Sequence, residues 1–121
     1  ICDASLQTFM LTHWARDRKR GPTVSVEHAV HSMTQDTARV YGLLDRGVIA
    51  PGYKADFNVI DFENLSLRRP EMAYDLPAGA RRLLQKSRGY DATIVSGEVV
   101  MRDGEATSAR PGRLIRGAQS V

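Results

Sequence analysis

The hydrophobic period of this chain changes once, at Gly47, and that change limits the folds open to it. Before it, Leu6, Phe9, Met10, His13 and Trp14 recur at i, i+3, i+4, i+7 and i+8. This spacing predicts an amphipathic helix over Ala4–Arg16. Asp3 or Ser5 is placed to cap it, and Gly21-Pro22 to stop the chain behind it. Ser25 predicts the N-cap of a second helix, Ser25–Met33, with Val26, Ala29, Val30 and Met33 as its buried stripe. Thr37–Leu44 reads as a short third helix, with Asp36 able to cap it.

After Gly47 the period is two. The run Gly47–Gly52, with Pro51, reads as a short strand and a tight turn. A strand over Ala55–Phe62 then places Ala55, Phe57 and Val59 on one face, and Asp56, Asn58 and Ile60 on the other. Ala92–Ser96 and Glu98–Arg102 predict a β-hairpin whose turn uses Gly97 for positive φ, and Asp103-Gly104 repeats that turn before Glu105–Thr107. Leu65–Leu67 predicts a further strand, and Arg68–Gly79, with Pro70 and Pro77, a loop. Apolar residues on both faces of the hairpin predict a sheet packed against another layer. The fold class that follows is α+β, N-terminal helices followed by an antiparallel β-sheet or half-sandwich.

Composition excludes several function classes. At 42% hydrophobic and 26% charged, 121 residues have the make-up of a globular chain. No apolar run approaches the roughly 20 residues that span a bilayer, so no membrane partner is predicted. A net charge of +3 with the run Ala15-Arg16-Asp17-Arg18-Lys19-Arg20 raises nucleic acid as a partner. The other arginines are scattered among acids, however, and cations at a helix C-terminus complement its dipole. A solvated helix end, without nucleic acid, is the reading. The single cysteine, Cys2, rules out an internal disulfide and predicts a reducing, cytoplasmic setting. Ile1 in place of Met, without a basic and apolar leader, predicts a natural start further upstream.

Few residues carry candidate chemistry. His28 and His31 stand at i, i+3 on the second helix and could meet one metal, but Glu27 projects about 100° away from His28 and no third ligand adjoins. They read as histidines flanking a buried stripe. His13, beside Trp14, has no nucleophile nearby and reads as an interfacial histidine. Cys2 reads as a small apolar residue. Gly47 and Gly52 precede a strand, whereas a phosphate cradle opens a helix. Asp56 and Asp61 fall on opposite strand faces and form no carboxylate pair. Asp56 is placed to accept from turn amides.

The stretch DRGVIAPGYKADFNVID, Asp45–Asp61, resembles the segment with which amidohydrolase-superfamily enzymes leave their barrel. That pattern, Gly-x-Ile/Leu-x-x-Gly-x-x-Ala-Asp-x-x-Val-x-Asp, is supplied by Gly47, Ile49, Gly52, Ala55, Asp56, Val59 and Asp61. SVEHAVHSMTQDTARVYGL resembles the last barrel helix and its short partner, although Asp36-Thr37 stands where relatives often have Pro. LPAGARRLLQKSRGYDATIVSGEVVMRDGEATSARPGRLIRG resembles the tail of the N-acyl-D-amino-acid deacylase (D-aminoacylase) branch.

The resemblance implies that residues 1–46 are helices from the end of a (β/α)8 barrel, and residues 47–121 a small flanking β-sheet domain. It implies a parent that hydrolyses the amide bond of N-acyl D-amino acids with water activated by one or two divalent ions, usually zinc. The family's His-x-His and its further metal histidines have no match here, and Asp3 lacks the Ser-Asp-x-x-x-His setting of the catalytic Asp. No catalytic or metal-binding residue is therefore assigned to this chain, no cofactor is assigned to it, and its substrate contacts are unassigned. The chain by itself is expected to be inactive and to self-associate through surfaces the parent would cover. The alternative is a freestanding β-rich binding or assembly module without catalysis.

Overall fold

The computed structural model of the protein describes residues 5–120. The expected start of the first helix at Ala4, the cap at Asp3 and the setting of Cys2 lie outside the described residues. Helices precede Gly47 and antiparallel strands follow it, an α+β arrangement. Helix α1, Leu6–Phe9, continues as a π-helix over Met10–Asp17, closed by the Arg18 N–H donating to the His13 carbonyl. Helix α2, Val26–His31, continues as a π-helix over Ser32–Asp36 into α3, Thr37–Val40. The predicted helical spans are therefore present, but both change pitch and α3 stops four residues before Leu44. Ser25 caps α2, its hydroxyl accepting from the His28 N–H at 3.2 Å. Neither Ser5 nor Asp36 caps through its side chain; the Asp36 carboxylate binds the His31 ring instead, at 3.1 Å.

Eight strands follow among the described residues. A four-stranded antiparallel sheet runs in the order β1 (Phe57–Ile60), β6 (Tyr90–Val95), β7 (Glu98–Arg102), β8 (Glu105–Ala106). The β6–β7 and β7–β8 connections are two-residue turns with positive φ at Ser96-Gly97 and Asp103-Gly104, the geometry that matches strand twist. β2 (Ser66–Leu67) pairs with β5 (Ser87–Arg88). β3 (Glu71–Ala73) pairs with β4 (Arg82–Leu84), so the expected loop over Arg68–Gly79 is a correction: it is one arm of a hairpin around a Pro77–Gly79 turn. The short strand expected between Gly47 and Gly52 is a turn.

The first helix buries Thr8, Leu11 and Thr12, while Leu6, at 53% exposure, Phe9 and Trp14 face outward, the apolar surface expected to stand open in the chain by itself; Met10 of the same stripe packs against the core instead. On the second helix Ala29 is fully buried, but Val30 is exposed. Leu11, Ala29 and Leu65 form the core, with Met10, Met33, Ile60, Phe62 and Tyr90 packed against it. Along β1 the alternation expected from the sequence holds, with Ile60 packed inward and Phe57 and Val59 exposed, and the register with β6 shifts between Val59 and Ile60. The accessible surface is 9265 Å². A compact monomer of 13.4 kDa exposes about 6,500 Å². Exposed apolar side chains contribute to the excess: the helical stripe, and Met72, Tyr74 and Leu83 on the β3–β4 arm. No helix among the described residues is long and apolar enough to cross a membrane.

Candidate functional site

The crossover from helices to sheet is a connected polar region. Arg46 grips Asp45 with two hydrogen bonds, at 2.8 and 2.9 Å, and its other nitrogen lies 3.7 Å from Asp56. The Asp56 carboxylate accepts the Ser96 N–H at 2.7 Å, and the Ala55 carbonyl accepts the Gly97 N–H at 2.9 Å. The β6–β7 turn is thus tied to the entry of β1 by one carboxylate and one carbonyl. The Arg46 hydrogen bond holds the Asp45 carboxyl below the ordinary aspartate range and raises the guanidinium in turn. Gly47 lets the chain pass: a Cβ there would stand 2.9 Å from Gln35 Cα. The role expected for Asp56, an acceptor for turn amides, is the one it has.

A second junction was not legible in the sequence. Arg16 ends the first helix and donates to the carbonyls of Phe62, Glu63 and Leu65, with Asp17 on its other edge. Its guanidinium also lies 5.5 Å from the Phe62 ring centre. The expected solvated helix end is corrected at this residue: Arg16 joins helix to sheet across 46 to 49 positions. Arg18 stacks over Trp14 at 4.6 Å. The Thr8 and Tyr90 hydroxyls meet at 2.7 Å and make a further join. Asp61 accepts from the side chain and backbone of Asn64, which hold its carboxyl below the ordinary range.

The histidines do not converge. His13 stacks on Phe9 at 4.8 Å between ring centres and meets Trp14 edge-on. His31 faces Asp36, and His28 stands exposed one turn away. Among the described residues no group of three or more His, Cys, Asp or Glu side chains could hold a metal ion. The described residues thus do not by themselves fit the metal that the family resemblance implies, because a hydrolytic ion needs three protein ligands around an open position. What the crossover can do chemically is hold two layers in a fixed relation.

The model of the family described as "Amidohydrolase family" matches residues 3–101. The N-acyl-D-aspartate deacylase of Alcaligenes xylosoxydans xylosoxydans is 34% identical over 99 residues, 81% of this chain and 18% of that protein. The N-acyl-D-glutamate deacylase of the same organism is 36% identical over 98 residues, again 81% and 18%. The allantoinase of Streptomyces avermitilis is 30% identical over 121 residues, 93% of this chain and 25% of that protein. The chain therefore spans about a fifth to a quarter of the length of these relatives. No solved structure matches. With the match running from the first helix through β7, across both junctions, the chain belongs to the amidohydrolase family, on the branch of the N-acyl-D-amino-acid deacylases.

Proposed function

We propose that the whole protein hydrolyses the amide bond of N-acyl D-amino acids, and that these 121 residues are the scaffold at its C-terminal end. The observation that carries this reading is the pair of deacylases matched over four-fifths of the chain. On this reading residues 1–46 close a (β/α)8 barrel, residues 47–121 form its flanking domain, and the metal and catalytic side chains come from outside this segment. The excess of accessible surface supports it, since the stripe of Leu6, Phe9 and Trp14 and the β3–β4 arm are surfaces made to be covered. Zinc, a cytoplasmic setting and the absence of nucleic-acid and membrane partners are parts of the same proposal.

The substrate is tested by supplying the full-length protein with N-acetyl-D-glutamate, N-acetyl-D-aspartate, N-acetyl-D-leucine, their L-enantiomers and allantoin. Release of a free D-amino acid from at least one N-acetyl compound is the expected result. Ring opening of allantoin with no hydrolysis of any N-acetyl amino acid would replace this reading with a cyclic amidase, the activity named for the Streptomyces relative. A full-length protein that begins directly at Ile1 and hydrolyses nothing would favour the freestanding module.

A further inference from the structure

The inside of the corner between the β2–β5 ladder and the four-stranded sheet is a groove of about 750 Å³. Gly89 makes the corner. With φ +90° it swings the chain from β5 into β6, and a Cβ there would lie 2.8 Å from Leu65 Cα and 2.9 Å from the Asp61 carbonyl. One wall carries Arg68, Lys86 and Arg88; the other carries Asp91 and Asp103. The acidic wall is fixed by the Asp103 N–H donating to the Asp91 carbonyl at 3.0 Å. Its basic wall is fixed by the ladder, with the Arg68 N–H donating to the Lys86 carbonyl at 2.8 Å. The floor is the polar face of the sheet, Asn58 and Thr93 with Met101 beside them. Thr93 donates to the Asn58 side-chain oxygen, which leaves the Asn58 amide hydrogens directed elsewhere.

Opposite charges that face each other across a narrow cleft ordinarily close into ion pairs. Among the described residues the ion pairs are Arg16–Asp17, His31–Asp36, Arg46 with Asp45 and Asp56, and Arg82–Asp75, and none crosses this groove. Gly89 turns the chain between the two sets of charges, and the groove they line has room for a small ligand. We propose that this groove binds a small zwitterion, its carboxylate toward Arg68, Lys86 and Arg88 and its ammonium toward Asp91 and Asp103. A lone anion meets only the basic residues and a lone cation only the acidic ones, so each forgoes half of the ion contacts open to a zwitterion. The source of such a ligand rests on the function proposed above. Hydrolysis of an N-acyl amino acid gives a carboxylate and a free amino acid, and only the free amino acid carries both charges. The groove therefore tells product from substrate.

The test uses the full-length protein with ¹³C-methyl methionine, the Met101 signal being assigned by Met101→Leu. D-alanine, N-acetyl-D-alanine and D-alanine amide serve as zwitterion, anion and cation. Exposed ion contacts of this kind are each worth up to about fivefold in affinity, so saturation by D-alanine lies in the millimolar range. Asp91→Asn with Asp103→Asn is expected to weaken D-alanine by about three- to tenfold, and Lys86→Gln with Arg88→Gln similarly. N-acetyl-D-alanine and the amide should leave Met101 unmoved at the same concentrations. No Met101 shift with D-alanine, an equal shift with N-acetyl-D-alanine, or a shift indifferent to both variant pairs would overturn the proposal. A retained Met101 response in a protein that hydrolyses no N-acyl amino acid would leave the zwitterion site standing and remove the deacylase reading.

Discussion

Replacing Gly89 by Ala should damage the protein far more than replacing Gly97, although both adopt nearly the same left-handed backbone, φ +90° and +82°. An L-residue in that region costs about 1–2 kcal/mol from the clash of Cβ with its own peptide group. At Gly97 nothing else lies within 4 Å of the added carbon, so Gly97→Ala should cost about that much and no more. At Gly89 the carbon would also meet Leu65 Cα and the Asp61 carbonyl, at 2.8 and 2.9 Å. Both are backbone and cannot rotate away, and Leu65 is fully buried in the core. Relieving the overlap means moving β5 off β2, an overpacking cost of about 1–3 kcal/mol on top of the first. The expected totals are thus about 1–2 kcal/mol for Gly97→Ala and 2–5 kcal/mol for Gly89→Ala. Urea denaturation of the two full-length variants, with slopes compared as well as midpoints, reads the difference. Equal losses would refute the argument that the corner is held by backbone contact.

Asp56→Ala should cost about 1–2 kcal/mol, because it removes the charged acceptor of the Ser96 N–H, and Asp56→Asn should recover part of it; thermal melts of both variants check this, and identical melts would show the carboxylate to be idle. Asp17, Asp45, Asp61 and Asp75 all have carboxyls held below their ordinary range, led by hydrogen bonds from Arg16, Arg46, Asn64 and Arg82. Folded carboxyls that titrate lower than unfolded ones add stability above the unfolded aspartate range and lose it as pH falls through the folded values. Stability should therefore be flat near neutrality and fall from about pH 4 downward, as urea midpoints measured across that range would record. The 121-residue chain expressed alone should self-associate through its exposed helical stripe and the β3–β4 arm; light scattering that finds a monomer at high concentration would contradict this.

What could be read in advance was local. The Ser25 cap, the two Xaa-Gly hairpin turns and the turn-binding role of Asp56 each depend on residues a few positions apart or on one strand pairing. The apolar stripe of the first helix was visible as a stripe, but periodicity does not say which side this chain covers. Here the sheet takes the Thr8, Leu11 and Thr12 face through Tyr90 and the core, and the more apolar face stays open. The β3–β4 arm was hidden by Pro70 and Pro77, which read as loop although Pro70 only precedes β3 and Pro77 opens the turn between β3 and β4. Arg16 was hidden for a different reason. Its partners are backbone carbonyls 46 and more residues away, and any sequence at 62–65 offers carbonyls. The groove rests on Gly89, whose need for glycine comes from its left-handed φ and from the approach of Leu65 and the Asp61 carbonyl, neither of which its neighbours in the chain announce.

The central claim is that this segment holds the enzyme together without holding its metal, and one measurement addresses it. Full-length protein carrying His13→Gln, His28→Gln and His31→Gln together would be assayed for bound metal per chain and for kcat/KM on the N-acetyl-D-amino acid it hydrolyses best. The account predicts metal content equal to that of the unsubstituted protein, and kcat/KM within about twofold of it, the range of ordinary surface changes. Loss of bound metal, or a fall of tenfold or more in kcat/KM at unchanged stability, would contradict it.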